Sequence, residues 1–120
     1  MADQNETGDF KILVKPEAGS HVVEIHGTLA EETKSRAKET FLGLLDSSPA
    51  RIVVDLTGLD YISSAGIGLL ISVLRHCRQR LTPLAVCGLG PEIEELFKLT
   101  HLDQVFNVFR NRPEALRRLA

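Results

Sequence analysis

Apolar and polar positions alternate twice near the start of the chain. Phe10 to Lys15 reads FKILVK and His21 to His26 reads HVVEIH, the period of two expected of half-buried strands. Pro16-Glu17-Ala18-Gly19-Ser20 lies between them, so the two runs are predicted as a hairpin, ended by Gly27. The period then changes. From about Ala30 to Leu45, Ala37, Phe41 and Leu44 recur at helical spacing with charges on the other side, and Ser47-Ser48-Pro49 closes that helix. Arg51 to Leu56 (RIVVDL) is a nearly continuous apolar run, β-branched at its centre, as suits a strand buried on both faces. Ile67, Leu70, Ile71, Leu74 and Cys77 form the stripe of an amphipathic helix from Ala65 to about Arg80, with Arg75, Arg78 and Gln79 off it. Pro83 to Cys87 (PLAVC) is a further buried strand, punctuated by Gly88 and Gly90. Pro91 opens a helix where its missing N–H costs nothing, with Ile93, Leu96 and Phe97 on its apolar side. Gln104 to Phe109 is predicted as the last strand, and Pro113 starts a short final helix.

The order is β-β-α-β-α-β-α-β-α. It implies an α/β domain with an open, mixed, mainly parallel sheet flanked by helices, the hairpin supplying the antiparallel part. Residues 1–9 are polar and acidic and read as a flexible arm, leaving 10–120 as one domain. Ligands and partners of such sheets gather beyond the carboxyl ends of the strands, and Thr57 to Gly68 follows one such end.

Composition narrows the function classes. Fourteen Lys and Arg against 16 Asp and Glu give a formal charge of −2, which argues against coating nucleic acid by bulk charge. No Trp is present to stack bases. Apolar stretches such as Ile67 to Ile71 are far short of the roughly 20 residues of a membrane span. With no apolar run in the arm, the expectation is a cytoplasmic protein without membrane insertion. Cys77 and Cys87 lack a CxxC partner or a His at ligand spacing and read as free, buried thiols.

The chemistry concentrates in Asp55 to Gly68, DLTGLDYISSAGIG. It leaves a buried strand, crosses a glycine-containing turn and enters a helix. Ser63 and Ser64 stand just before that helix. One structural role is plain: a serine there is a good N-cap, its oxygen accepting a hydrogen bond from a first-turn N–H. The functional alternative is phosphorylation, since a helix N-terminus tolerates anions. A phosphoryl group would add about −1.5 to −2 charge. Gly66 and Gly68 put no side chain beside the serines, leaving room for a partner's close approach. Gly66-Ile67-Gly68 is not a nucleotide loop: the longer glycine spacing and the Walker lysine are missing.

The run VVDLTGLDYISSAGIGLL resembles the signature of bacterial STAS domains, specifically the stand-alone anti-sigma factor antagonists. The resemblance covers about Phe10 to Phe109 and includes Gly27-Thr28-Leu29, Leu84-Ala85-Val86-Cys87-Gly88 and Leu99 to Phe106. It implies a small open β/α fold with no catalytic activity, no catalytic residues, no cofactor and no metal. It implies an adaptor, monomeric alone, that binds an anti-sigma factor which is also a serine kinase and so frees a sigma factor. Phosphorylation by that kinase would end binding, and a serine phosphatase would restore it. The family's Asp-Ser-Ser/Thr-Gly falls on Ser63-Ser64-Ala65-Gly66. This makes Ser64 the expected phosphoacceptor, with Ser63 the alternative, and partner contact falls on Asp60, Ser63, Ser64, Ala65, Gly66, Ile67, Gly68 and Leu69. Two positions depart from the family: Ser63 stands where an Asp is common before the phosphoserine, and Ala30 where an Asp is common after the Gly-x-Leu turn, though Glu31 and Glu32 follow.

Elsewhere simpler roles suffice. His21, His26, His76 and His101 are scattered and form no metal or catalytic pair. Asp55 is expected to end a strand and Asp60 to sit in a turn, rather than to pair as carboxylates. Arg110, Arg112, Arg117 and Arg118 read as a solvated helix face. Leu69 and Val73 are either buried or part of a partner-facing edge. Two other functions stay open: a STAS scaffold subunit of a larger signalling or membrane-transport complex, and a small enzyme or nucleotide-binding protein. The latter lacks a triad, a metal cluster or a phosphate loop.

Overall fold

Two consecutive left-handed residues, Ala18 (φ 52°) and Gly19 (φ 80°), make the tight turn that closes the predicted hairpin. The computed structural model describes residues 6–7 and 10–119. The hairpin strands are β2 (Phe10–Glu17) and β3 (Ser20–Leu29). A two-residue strand, β1 (Glu6–Thr7), pairs antiparallel with the start of β2. The expected loose arm therefore contributes to the sheet edge at these two positions, and the rest of it lies outside the described residues.

The chain continues through α1 (Glu31–Asp46), β4 (Ile52–Asp55), β5 (Leu59–Ile62), α2 (Ser64–Gln79), β6 (Leu84–Cys87), α3 (Pro91–Leu99), β7 (Asn107–Phe109) and α4 (Arg112–Leu119). The main sheet runs β1-β2-β3-β4-β6-β7, and β5 pairs with the end of β3. β1-β2 and β2-β3 are antiparallel, while β3-β4, β4-β6 and β6-β7 are parallel. This is the small α/β domain with a mixed, mainly parallel sheet that the pattern implied.

Three details differ from the sequence reading. Gly27 does not end its strand. Its φ of +84° lets β3 shift register between Gly27 and Thr28, so β3 pairs with β4 over His21–Glu24 and with β5 over Gly27–Leu29. Second, β5 was not foreseen: only its end residues, Leu59 and Ile62, are buried, which hides the two-residue period. Asp60 therefore lies in a strand rather than a turn. Third, the last strand is only Asn107–Phe109, because Leu102–Gln104 form a 3-10 turn after a left-handed His101. Leu102 and Phe106 are buried four residues apart, a helical rather than a strand phase.

The two sheet faces are covered unequally. α1, α2 and α3 bury one large cluster that includes Phe41, Leu70 and Phe97. On the other face, Ala115 and Leu116 of α4 pack on Val22, Val53, Ala85 and Cys87. β4 and β6, sandwiched between the two layers, are buried at every position. Both cysteines are free and buried.

Arg112 fastens α4 to the sheet. Its guanidinium donates to Glu17 on β2 (2.8 Å), Asp55 on β4 (3.2 Å) and Glu24 on β3. Arg112 is thus not part of a solvated face, although Arg110, Arg117 and Arg118 are exposed. The bond from Arg112 holds the Glu24 carboxyl at about 2, against an ordinary 4.5. A carboxyl depressed in the fold stabilises it above its unfolded pKa and loses that contribution as pH falls toward the folded value. Arg112 keeps 22% of its side chain in water, so the effect of removing it is below that for a fully buried pair. Arg112→Gln is expected to reduce the unfolding free energy by roughly 1–3 kcal/mol at neutral pH. In urea titrations the gap between the two proteins should narrow as pH falls from about 5 to about 2.

Candidate functional site

The serine segment is held by backbone bonds to the end of β3. Leu29 pairs with Ile62 across β3 and β5, and the Ser63 N–H donates to the Leu29 carbonyl at 3.0 Å. This aims the chain into α2. Ser63 has an extended backbone (φ −93°, ψ 175°), and its Oγ accepts from the Gly66 N–H at 3.3 Å. Its carbonyl accepts from the Ile67 N–H at 2.9 Å. Ser63 is therefore the N-cap.

Ser64 is the first helical residue. It is exposed, and its hydroxyl has no hydrogen-bond partner among the described residues. The two serines thus have different surroundings: one oxygen is occupied by the fold, the other faces solvent at the positive end of a 16-residue helix that has no acidic residue in its first turn.

The two glycines differ in the same way. A Cβ on Gly66 would lie 2.5 Å from the Leu29 carbonyl oxygen and 2.8 Å from Ile62 Cγ1. The fold itself requires that glycine. A Cβ on Gly68 would meet nothing within 4 Å, so packing does not explain its presence in a helix, where glycine costs about 1 kcal/mol relative to Ala.

The other expected contact residues divide by depth. Asp60 is exposed on β5, Ala65 and Ile67 are half-buried, and Leu69 and Val73 are buried. The open alternative for the last two is thereby decided in favour of the core, although Leu69 still reaches the base of a surface groove. That groove, about 280 Å³, runs between α1 and α2 and is lined by Lys34, Lys38, Ala65, Gly68, Leu69 and Ser72. The lysines were missed in the sequence. Their i, i+4 spacing marks one face of α1, but only the packing of α1 against α2 shows what that face looks onto.

The two positions that depart from the family are neighbours in space. Ala30 and Ser63 each follow directly on the Leu29–Ile62 pair. Ala30 caps α1 without a side-chain bond, and its N–H donates instead to Thr33 Oγ1 at 3.0 Å. Tyr61, also beside the serines, is 57% exposed, and it too was not singled out from the sequence.

Asp55 does end β4, and it is turned away from this site. It is buried and accepts from the Thr57 N–H (3.0 Å), from Thr57 Oγ1 (2.6 Å) and from Arg112. His26 lies 3.2 Å from Glu24. Among the described residues, no three His, Cys, Asp or Glu side chains are grouped as a metal site, and no helix is long and apolar enough to cross a membrane.

The STAS domain family matches residues 11–115. The chain belongs to the STAS family. Among its STAS relatives is BtrV of Bordetella bronchiseptica, a candidate anti-sigma factor antagonist. It is 29% identical over 106 residues, 88% of this chain and 91% of that protein. The crystal structure of an anti-sigma factor antagonist from Mycobacterium paratuberculosis superposes with a TM-score of 0.85 at 22% identity, over 99% of this chain and 98% of that one. The Bacillus cell fate determinant SpoIIAA in its phosphorylated form matches with a TM-score of 0.70 at 14% identity, over 91% of this chain and 99% of that one. These comparisons show that the STAS fold and the kinship to anti-sigma factor antagonists are as the motif implied.

The geometry of this STAS domain separates capping from exposure by substitution. Ser63→Ala is expected to cost about 1 kcal/mol of stability, and Ser64→Ala much less. Gly66→Ala should destabilise by roughly 1–3 kcal/mol through the clash with Leu29, whereas Gly68→Ala should stabilise by up to about 1 kcal/mol. Thermal or denaturant unfolding of the four variants tests this order.

Proposed function

We propose that this STAS domain is a phosphorylation-switched anti-sigma factor antagonist. It binds an anti-sigma factor that is also a serine kinase, releases a sigma factor, and is inactivated when the kinase phosphorylates Ser64. The observation that carries the reading is the free Ser64 hydroxyl on an open helix N-terminus, beside a capping serine whose oxygen the fold already uses. The phosphorylated form of SpoIIAA, a protein of the same fold, and the names of the relatives support it. The protein acts by binding in the cytoplasm, where ATP and RNA polymerase are found, and a phosphatase restores the active form.

The physical basis of the switch is local. Unmodified Ser64 and Gly68 present a neutral, close-fitting surface. A phosphoryl group adds a bulky dianion that the partner would have to desolvate on binding. A penalty of about 3 kcal/mol corresponds to roughly a hundredfold in affinity.

Incubation with Mg-ATP and the anti-sigma serine kinases of the same cell, followed by mass spectrometry, tests the reading. Phosphate is expected on Ser64 and absent from Ser64→Ala. Ser64→Glu should bind the kinase roughly a hundredfold more weakly than Ser64→Ala. Phosphate on Ser63 would move the acceptor by one residue. Binding that is indifferent to Ser64→Glu, with no phosphate transferred, would overturn the switch and leave a constitutive adaptor or scaffold.

A further inference from the structure

We propose that the groove between α1 and α2 receives an acidic segment of the anti-sigma partner, and that phosphate on Ser64 expels this segment by competing for the same lysines. The inference rests on the function proposed above and names the chemistry of the partner's docking element.

The groove's charge is one-sided. Among its lining residues only Lys34 and Lys38 are charged, and no carboxylate contributes. Lys34 is 3.4 Å from Glu31, whose side chain is 72% exposed, a surface pair of the weak kind that a new carboxylate can replace. Lys38 has no ion-pair partner among the described residues. The vacant complement to this wall is negative charge.

The shape of the groove is equally specific. Its α2 wall presents Ala65, Gly68 and Ser72, with Leu69 at the base. Leu69 is 6% exposed, so the base is apolar. Gly68 costs helix stability, and nothing in the fold would meet a Cβ there. What the missing side chain supplies is width between α1 and α2. The occupant is therefore a segment that lays small or apolar residues on Leu69 and Gly68 and carries carboxylates toward α1.

Ser64 immediately precedes Ala65, a lining residue. A phosphoryl group on it brings about −1.5 to −2 charge to the mouth of this lysine-lined groove. That charge repels incoming carboxylates and neutralises the ammonium groups that would have met them. The groove is open to water, so both effects weaken with salt.

The test measures the affinity of the full chain for the anti-sigma kinase that phosphorylates it, at low and high salt. Lys34→Glu/Lys38→Glu should weaken binding about tenfold or more. Arg117→Glu/Arg118→Glu, an equal charge change on the opposite face of the sheet, should shift it less than about twofold. In a Lys34→Gln/Lys38→Gln background the penalty of Ser64→Glu should shrink to a fraction of its value in the native background. All the substituted lysines and arginines are on the surface, and circular dichroism verifies folding.

Unchanged binding by the lysine-reversed variant, or an equal Ser64→Glu penalty in both backgrounds, would overturn the groove. The antagonist reading would survive either result, because the native protein would still bind and accept phosphate. A native protein that neither binds nor is phosphorylated overturns both.

Discussion

The Leu29 carbonyl carries two constraints at once. It accepts the Ser63 N–H at 3.0 Å, and it lies so close to Gly66 that a side chain there would clash. The first fixes where the chain leaves β5, and the second fixes how near α2 sits to the end of β3. Both depend on Gly27, whose positive φ lets β3 leave β4 and pair with β5. Without that shift Leu29 and Ile62 would not be partners, and the turn holding the serines would have no backbone anchor. The exposure of Ser64 is thus a consequence of sheet register rather than of loop flexibility.

The rest of the architecture keeps that register rigid. β4 and β6 are buried at every position, so neither can slip without moving apolar side chains in both layers. The three-helix layer is held by area, with Phe41 and Phe97 fully buried. The α4 layer is thin and relies on charge as well. Arg112 ties α4 to three strands through Glu17, Glu24 and Asp55. Asp55 in turn orders the loop after β4 by accepting both bonds from Thr57. That loop leads into β5, so the charge cluster on one face supports the segment that positions the serines.

Much of this was legible in the residues. The VV and AV centres of β4 and β6 declared buried parallel strands, and the stripe from Ile67 to Cys77 declared α2. A Ser-Ser pair ahead of an amphipathic helix pointed to a cap, an acceptor or both. It did not say which serine did which, because either residue type suits either role and the difference is one residue of backbone phase. β5 was illegible because Asp60 and Tyr61 are exposed between its buried ends. Gly27 looked like a stop because glycine marks bends and terminations alike. Arg112 looked like its basic neighbours, since its carboxylates lie 57 to 95 positions away.

The two glycines of the motif show how a structure adds to such a reading. In the sequence, Gly66 and Gly68 are equivalent spacers around Ile67. In space one is required by a carbonyl oxygen and the other by nothing among the described residues. The proposed groove would give Gly68 a role: across from the same helix face, among the described residues, Lys34 has only an exposed pair with Glu31 and Lys38 has no ion pair. Packing alone would fill the Gly68 position with alanine and would leave Lys38 without consequence. On the proposed reading, the charge and the empty space beside Ser64 share one physical reason, a partner that fills the groove.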